Sequence, residues 1–144
     1  MTADEFSLAW EGFFRATRRA RGRLAGPLEG TRLSLPQYQL LEALRDEPEL
    51  PVSELAASAG VSAPTATRML DGLAGHGLAV RTPCERDRRV ALVSLTEAGR
   101  EAVREAAERV AAGRARVRDH LTPAEQWQAS VLLRRLATIV EEEL

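Results

Sequence analysis

The chain of 144 residues contains no lysine, so all 20 of its basic side chains are arginine. Its formal net charge at pH 7 is −1, and bulk charge therefore does not indicate a protein that binds nucleic acid. Abundant arginine and alanine are also typical of GC-rich coding sequence. Arginine is therefore informative here only where it clusters.

A single cysteine, Cys84, excludes an internal disulfide and a zinc site built from several cysteines. Apolar runs are short: none approaches the ~20 residues that a membrane-spanning helix needs, and the N-terminus lacks a signal-peptide pattern. We therefore expect a cytoplasmic protein that does not bind membranes. His76 and His120 are isolated, and no phosphate-binding loop or nucleophile elbow is present, so we expect no metal, no cofactor and no enzymatic activity.

Aromatic residues make up only 4% of the chain, and most of them lie in its first segment. At helical spacing over roughly residues 3–28 stand Phe6, Trp10, Phe13 and Phe14. Such a stripe is usually buried against another helix, of the same chain or of a partner. The helix is predicted to end near Gly26-Pro27.

A second helix is predicted to begin at Ser34. Ser34 and Gln37 match the capping-box pattern, and proline is tolerated in the first turn of a helix. The buried face of this helix is predicted to consist of Leu40, Leu41 and Leu44.

Residues 52–78 predict two short helices joined by a turn that contains Gly60, which is the helix-turn-helix outline. Ser53 and Ser62 are the predicted N-caps of these helices. Gly75-His76-Gly77 ends the second of them.

A hairpin is predicted next, with strands at 78–80 and 90–95. Its tip at 84–89 reads CERDRR. Such a tip is explained either as a solvated turn or as a loop that enters a strongly negative groove.

Two further helices complete the chain. Thr96 is the predicted N-cap of a long helix that runs to about residue 119, and Thr122 with Glu125 forms a capping box at the start of the last helix. Valines seven residues apart give the long helix a narrow coiled-coil-like seam, Val103, Val110 and Val117. The apolar stripes of the first and the last two helices exceed what one small domain can bury, so we expect a twofold dimer.

This order of elements is that of a winged helix-turn-helix. Five motifs stand along it: SELA at 53–56, PTATRMLDGL at 64–73, HGL at 76–78, DRR at 87–89 and VSLTEAGR at 93–100. With these motifs the sequence resembles the MarR family of bacterial transcription regulators, and the resemblance covers nearly the whole chain.

The expected fold is mainly α-helical, with a small two- to three-stranded antiparallel β wing. We expect residues 1–144 to form a single domain. Within it, residues 34–95 would be the DNA-binding lobe, and residues 3–28 with 96–144 would form the helical dimerisation region.

The expected partner is double-stranded DNA, bound by a homodimer at a pseudo-palindromic operator with half-sites separated in ~10 bp steps. The helix that begins at Ser62 suits the major groove, and Arg68 is long enough for a bidentate contact with guanine. A hairpin beside that helix reaches the minor groove, where the resemblance assigns the insertion to Arg89, oriented by Asp87. The predicted DNA-binding residues are Ser62, Ala63, Thr65, Thr67, Arg68, Arg86, Asp87, Arg88 and Arg89.

The resemblance also implies a repressor that leaves DNA when a small phenolic or anionic effector binds. The residues predicted to line the effector pocket are Trp10, Phe14, Arg18 and Tyr38. The other interpretation of these four residues is dimer and core packing.

Two alternative functions stay open. One is a winged-helix protein that acts mainly through protein contacts, although such a module would not need Arg68 and the basic tip. The other is a thiol-redox sensor that uses Cys84, whose oxidation at the tip would disturb DNA contact.

Overall fold

The computed structural model describes residues 2–23, 28 and 30–143. The helices are α1 (Ala3–Arg23), α2 (Leu35–Leu41), α3 (Val52–Ala59), α4 (Ala63–Gly75), α5 (Glu97–Asp119) and α6 (Pro123–Glu143). The strands are β1 (Leu50–Pro51), β2 (Ala79–Pro83) and β3 (Ala91–Leu95). The expected mainly helical fold with a small antiparallel wing is confirmed, whereas the predicted helix end near Gly26-Pro27 lies outside the described residues.

The chain divides into two compact units, Met1–Glu108 and Arg109–Leu144. The first unit contains the elements from α1 to the first half of α5. Its core is formed mainly by leucines from α2, α3 and α4 together with valines from β3 and α5. The largest fully buried side chains are Leu33, Leu40, Leu41, Leu55, Leu70, Leu73, Val93 and Val103.

The capping box at the start of α2 is present as the sequence predicts. The Ser34 hydroxyl accepts a hydrogen bond from the Gln37 backbone N–H at 3.3 Å, and the Gln37 side chain accepts one from the Ser34 N–H at 2.9 Å. The first orphan donors of the helix are thereby satisfied, and α2 presents Leu40 and Leu41 to the core.

The turn between α3 and α4 depends on Gly60. This residue has φ +67° at the end of α3, a left-handed conformation that glycine adopts without a steric penalty. The prediction that Ser53 caps α3 is wrong. The helix begins at Val52, and the extended residue that precedes it is Pro51, which offers no side-chain cap.

The sheet has the strand order β1-β3-β2 and is antiparallel throughout. In the hairpin, Ala79 pairs with Leu95 and Pro83 with Ala91. β1 adds a two-residue edge, with Leu50 opposite Val93. Val93 therefore lies on the central strand, β3. Its buried side chain anchors the hairpin to the core of the first unit.

The predicted caps of the last two helices are both confirmed. The Thr96 hydroxyl accepts a hydrogen bond from the Gly99 N–H at 2.9 Å. Thr122 and Glu125 form the reciprocal box, with the Glu125 N–H donating to the Thr122 hydroxyl at 3.3 Å and the Thr122 N–H donating to Glu125 Oε2 at 2.8 Å. No helix in the described part of the chain has the length and apolar character needed to cross a bilayer.

Candidate nucleic-acid interface

The first turn of α4 is exposed and well capped. The Ser62 hydroxyl accepts a hydrogen bond from the Thr65 N–H at 3.2 Å and donates one to the Thr65 hydroxyl at 2.9 Å. Ser62 and Ala63 are exposed. Pro64 has no N–H and the Thr65 N–H is bonded to Ser62, so the Ala63 N–H is the backbone donor of this turn that can meet a phosphate.

Helical spacing divides α4 into a core face and an open face. Ala66, Leu70 and Leu73 are buried, whereas Arg68 is exposed. Thr65 and Thr67 are half-buried. Of the predicted side chains on this helix, Arg68 is the most accessible to a base edge, and Thr65 already spends one hydroxyl lone pair on Ser62.

The tip of the hairpin is a tight turn organised by Asp87. The Cys84 N–H donates to the Val90 carbonyl at 2.8 Å, and the Val90 N–H donates to the Asp87 carbonyl at 3.0 Å, which closes a turn over residues 87–90. Asp87 also accepts a hydrogen bond from the Arg89 N–H at 3.1 Å, so its side chain forms an Asx turn. Asp87 therefore stabilises the backbone of the turn and also pairs with the Arg89 side chain.

Arg89 projects from this turn into solvent. Its Nε donates to Asp87 Oδ1 at 3.2 Å, yet 92% of its side chain is exposed. The expected contact between Asp87 and Arg89 is present, with both hydrogen bonds accepted by one carboxylate oxygen and one of them coming from the backbone N–H. The carboxylate holds the guanidinium at Nε and leaves its outer edge open.

The other two arginines of the tip are also open. Arg86 and Arg88 are exposed and form no ion pair with any residue in the described ranges. Cys84 is half-buried at the base of the tip as a free thiol. The tip therefore presents Arg86, Arg88 and Arg89 to a partner, with one carboxylate committed to orienting the last of them.

One contact at this surface was not predicted from the sequence. Arg81 on β2 donates a hydrogen bond to the carboxylate of Asp71 on α4. This ion pair joins the helix to the hairpin at a second place besides the turn that connects them.

The residues predicted to line an effector pocket differ in exposure: those on α1 are exposed, whereas Tyr38 on α2 is buried. Trp10 and Phe14 contact each other on α1, with ring centroids 4.8 Å apart, and Arg18 is exposed on the same helix. Tyr38 is 4% exposed in the core of the lobe. In the described parts of the chain, no group of three or more histidine, cysteine or acidic side chains is arranged to hold a metal ion.

A helix-turn-helix followed by a basic antiparallel hairpin defines a winged helix-turn-helix DNA-binding domain. Residues 33–91, from the start of α2 through the tip of the hairpin, match the MarR family model. The chain belongs to the MarR family, and its fold is that of DNA-binding transcriptional regulators.

Solved structures similar to this chain include regulators with and without bound DNA. The transcriptional repressor CouR, solved with a 23-mer DNA duplex, is 30% identical, with 97% of each chain covered and a TM-score of 0.76. BpsR of Bordetella bronchiseptica, whose DNA binding is regulated by 6-hydroxynicotinic acid, is 25% identical over 90% of this chain and 98% of its own, with a TM-score of 0.74.

A curated relative is the HTH-type transcriptional regulator YfiV of Bacillus subtilis. It is 38% identical over 65 residues, which are 45% of this chain. The match spans 41% of the length of YfiV.

Proposed function

We propose that the protein is a homodimeric repressor that binds a pseudo-palindromic DNA site through α4 and the hairpin tip, and that a small phenolic or anionic molecule releases it. The observation that carries this proposal is the state of Arg89, fixed at Nε by Asp87 and otherwise open to solvent. An exposed arginine that already has an orienting carboxylate loses less conformational entropy when it enters a groove.

The two DNA contacts reinforce each other. α4 presents its N-terminal end and Arg68 on one open face, as a major-groove helix does. The narrow minor groove beside it has a negative potential that favours an inserted arginine, and Arg89 is offered to it. Ser62, Ala63, Thr65, Thr67, Arg86 and Arg88 are proposed as further base or phosphate contacts.

The homodimer is supported by helices whose apolar residues have no cover in the described chain. Neither α1 nor α6 contains a buried residue, although each is 21 residues long. Large side chains are left open on both helices: Phe6, Phe13 and Phe14 on α1, and Trp127, Leu132 and Leu133 on α6. Helices of this composition are stabilised by packing, and a second copy of the chain supplies it with the twofold symmetry of a palindromic site.

The effector and the repressor role are supported by similar proteins and by α1. BpsR responds to an aromatic acid, and CouR is a repressor. Trp10 and Phe14 offer a half-exposed aromatic surface with Arg18 on the same helix, which suits an aromatic anion. Tyr38 takes part only where the pocket extends into the core. We place the protein in the cytoplasm together with its DNA.

The proposal is tested by titrating the purified full-length protein against the DNA upstream of its own gene, at two salt concentrations and with random DNA as competitor. We expect competitor-resistant binding of one dimer per palindrome that weakens steeply with salt, because phosphate contacts release counterions. Equally weak binding to all DNA, both here and after selection of bound fragments from the whole genome, would favour a protein that acts through protein contacts. A panel of aromatic acids, beginning with 6-hydroxynicotinic acid, then tests release, and mild oxidation of the wild type and of Cys84→Ser tests the thiol alternative.

A further inference from the structure

The ion pair between Asp71 and Arg81 connects the two elements that are proposed to contact DNA. Asp71 lies on α4 three residues after Arg68, so the two side chains are close to one face of the helix. Arg81 lies on β2, two residues before the end of the strand that leads into the tip. Its Nη2 donates to Oδ1 of Asp71.

The buried Val93 of β3 already anchors the hairpin to the core, and helix and hairpin are also connected through the turn between them. There, the Gly77 N–H donates to the Ala74 carbonyl and the Leu78 N–H donates to the Leu73 carbonyl, each at 3.0 Å. The ion pair lies opposite Val93 in the register of the hairpin and links the exposed side of α4 directly to β2, the strand that leads into the tip. It therefore adds a polar restraint on the angle between α4 and the tip.

The charges at this place are better explained by DNA binding than by folding. The Asp71 side chain is 54% exposed and that of Arg81 is 33% exposed, and exposed ion pairs contribute little to stability because water and salt screen them. An unpaired carboxylate on a helix that approaches phosphates would also be repelled. Arg81 neutralises it, and Asp71 in turn keeps Arg81 from binding phosphates of any sequence.

We propose that Asp71 and Arg81 are positioning residues, which set the angle between α4 and the hairpin so that Arg68 and Arg89 reach adjacent grooves of one duplex. This inference rests on the proposed function, since it takes α4 and the hairpin tip as the DNA-contacting elements. It predicts that the pair governs the selectivity of binding more than its overall strength.

The test uses the full-length protein with two duplexes: one that the wild type selects from random-sequence DNA, and a scrambled version of it. The variants are D71N, R81Q, the combination D71N/R81Q and the charge swap D71R/R81D. We expect each single variant to lower the ratio of the two affinities about fivefold, which is the scale of one exposed ion pair. In D71N part of this loss comes from tighter binding to the scrambled duplex, because Arg81 is freed for phosphates.

Two results distinguish a positioning role of the Asp71–Arg81 pair from separate contributions of the two residues to DNA binding. The combined variant is expected to lose no more selectivity than either single variant, and the charge swap is expected to recover most of it. Additive losses in the combined variant, or a swap that is no better than the singles, would overturn the positioning role.

A matched control breaks an ion pair elsewhere. E101Q removes one of the two acidic partners of Arg104 on α5 and leaves the other, Glu108. The Glu101 and Arg104 side chains are 49% and 54% exposed, and the selectivity of this variant is expected to equal that of the wild type. All variants are expected to melt within about 3 °C of the wild type, as small changes in an exposed pair imply.

R68A and R89A in the same assay distinguish a failure of the proposed DNA interface from a failure of the positioning role alone. If they bind as the wild type does, the proposed interface itself is wrong; if they lose affinity while the Asp71 and Arg81 effects are additive, only the positioning role is wrong.

Discussion

Gly99, in the first turn of α5, packs directly against the backbone carbonyl of Leu78, just before β2. A Cβ at position 99 would overlap that carbonyl oxygen and would lie 3.3 Å from the Thr96 hydroxyl. The close approach allows the same hydroxyl to donate to the Gly77 carbonyl at 2.6 Å, and the Thr96 N–H to donate to the Leu78 carbonyl at 3.2 Å. The end of the helix-turn-helix, the base of the hairpin and the start of α5 therefore meet at one backbone junction.

Gly99→Ala is expected to lower the free energy of unfolding by about 1–3 kcal/mol, because backbone at the junction must move to admit the methyl group. Gly72→Ala is the matched control: a Cβ at position 72 of α4 meets nothing within 4 Å, and alanine is the better helix former by about 0.5–1 kcal/mol. Urea unfolding at one fixed protein concentration measures both. Equal stability of the two variants would contradict the close packing at Gly99.

Arg89→Ala is expected to weaken binding to the selected duplex about tenfold without changing the oligomeric state, since the side chain is open at the tip of the hairpin. Fluorescence anisotropy gives the affinity, and analytical ultracentrifugation gives the oligomeric state. Arg45→Ala serves as the control, because it removes another exposed arginine of the same unit that we do not assign to DNA. Unchanged binding by Arg89→Ala would rule out the minor-groove assignment.

Arg68→Ala is expected to cost ~1–3 kcal/mol of binding free energy and to relax the base preference at one position in each half-site. Selection from random-sequence DNA, repeated with the variant, reads the preference directly. A loss that is uniform across sequences, together with a smaller salt dependence, would instead assign Arg68 to a phosphate.

The start of α6 is expected to show a pH-dependent contribution to stability. The backbone N–H and then the hydroxyl of Thr122 hydrogen-bond to the Glu125 carboxylate and lower its pKa. A pKa that is lower in the folded state stabilises the fold above the ordinary glutamate pKa, and this contribution is lost as the pH falls through the lowered value. Glu125→Ala should therefore melt below the wild type at pH 7, with a difference that shrinks in acid.

Thermal unfolding, followed by circular dichroism at pH 7 and at acid pH, measures the difference in melting temperature between Glu125→Ala and the wild type. Glu142→Ala is the contrasting variant, because it removes a negative charge from the opposite end of α6, where the helix dipole makes that charge unfavourable. Its melting temperature at pH 7 is expected to equal or exceed that of the wild type. A Glu125→Ala difference that is the same at both pH values would contradict the role of the carboxylate.

Most of the fold was predicted from sequence patterns only a few residues long, above all the helix caps. The capping boxes at Ser34 and Thr122 are complete within four residues, so they can be identified without tertiary information. Ser53 misled because a serine before an apolar run is only a potential cap, and Pro51 already supplies the extended residue from which α3 starts. β1 was not predicted as an element, because two residues that include a proline carry no strand periodicity.

The site was predicted where the motif is contiguous. Asp87 and Arg89 are two residues apart, and their contact follows from the turn that they form. Asp71 and Arg81 are ten residues apart, on a helix and a strand whose relative angle the sequence does not specify, so their pairing became visible only in the folded chain. Tyr38 was predicted as a pocket residue but is buried, since its position on α2 faces the core together with Leu41.

The strand order β1-β3-β2 leaves β1 and β2 at the two edges of the sheet, and each edge strand contains a proline, Pro51 or Pro83. Proline donates no hydrogen bond to a neighbouring strand, β1 is only two residues long, and β2 also carries the charged Arg81. Both edges of the sheet are therefore poor templates for pairing with a strand of another molecule. A basic loop that must stay exposed while the protein searches for its site is in this way protected against aggregation.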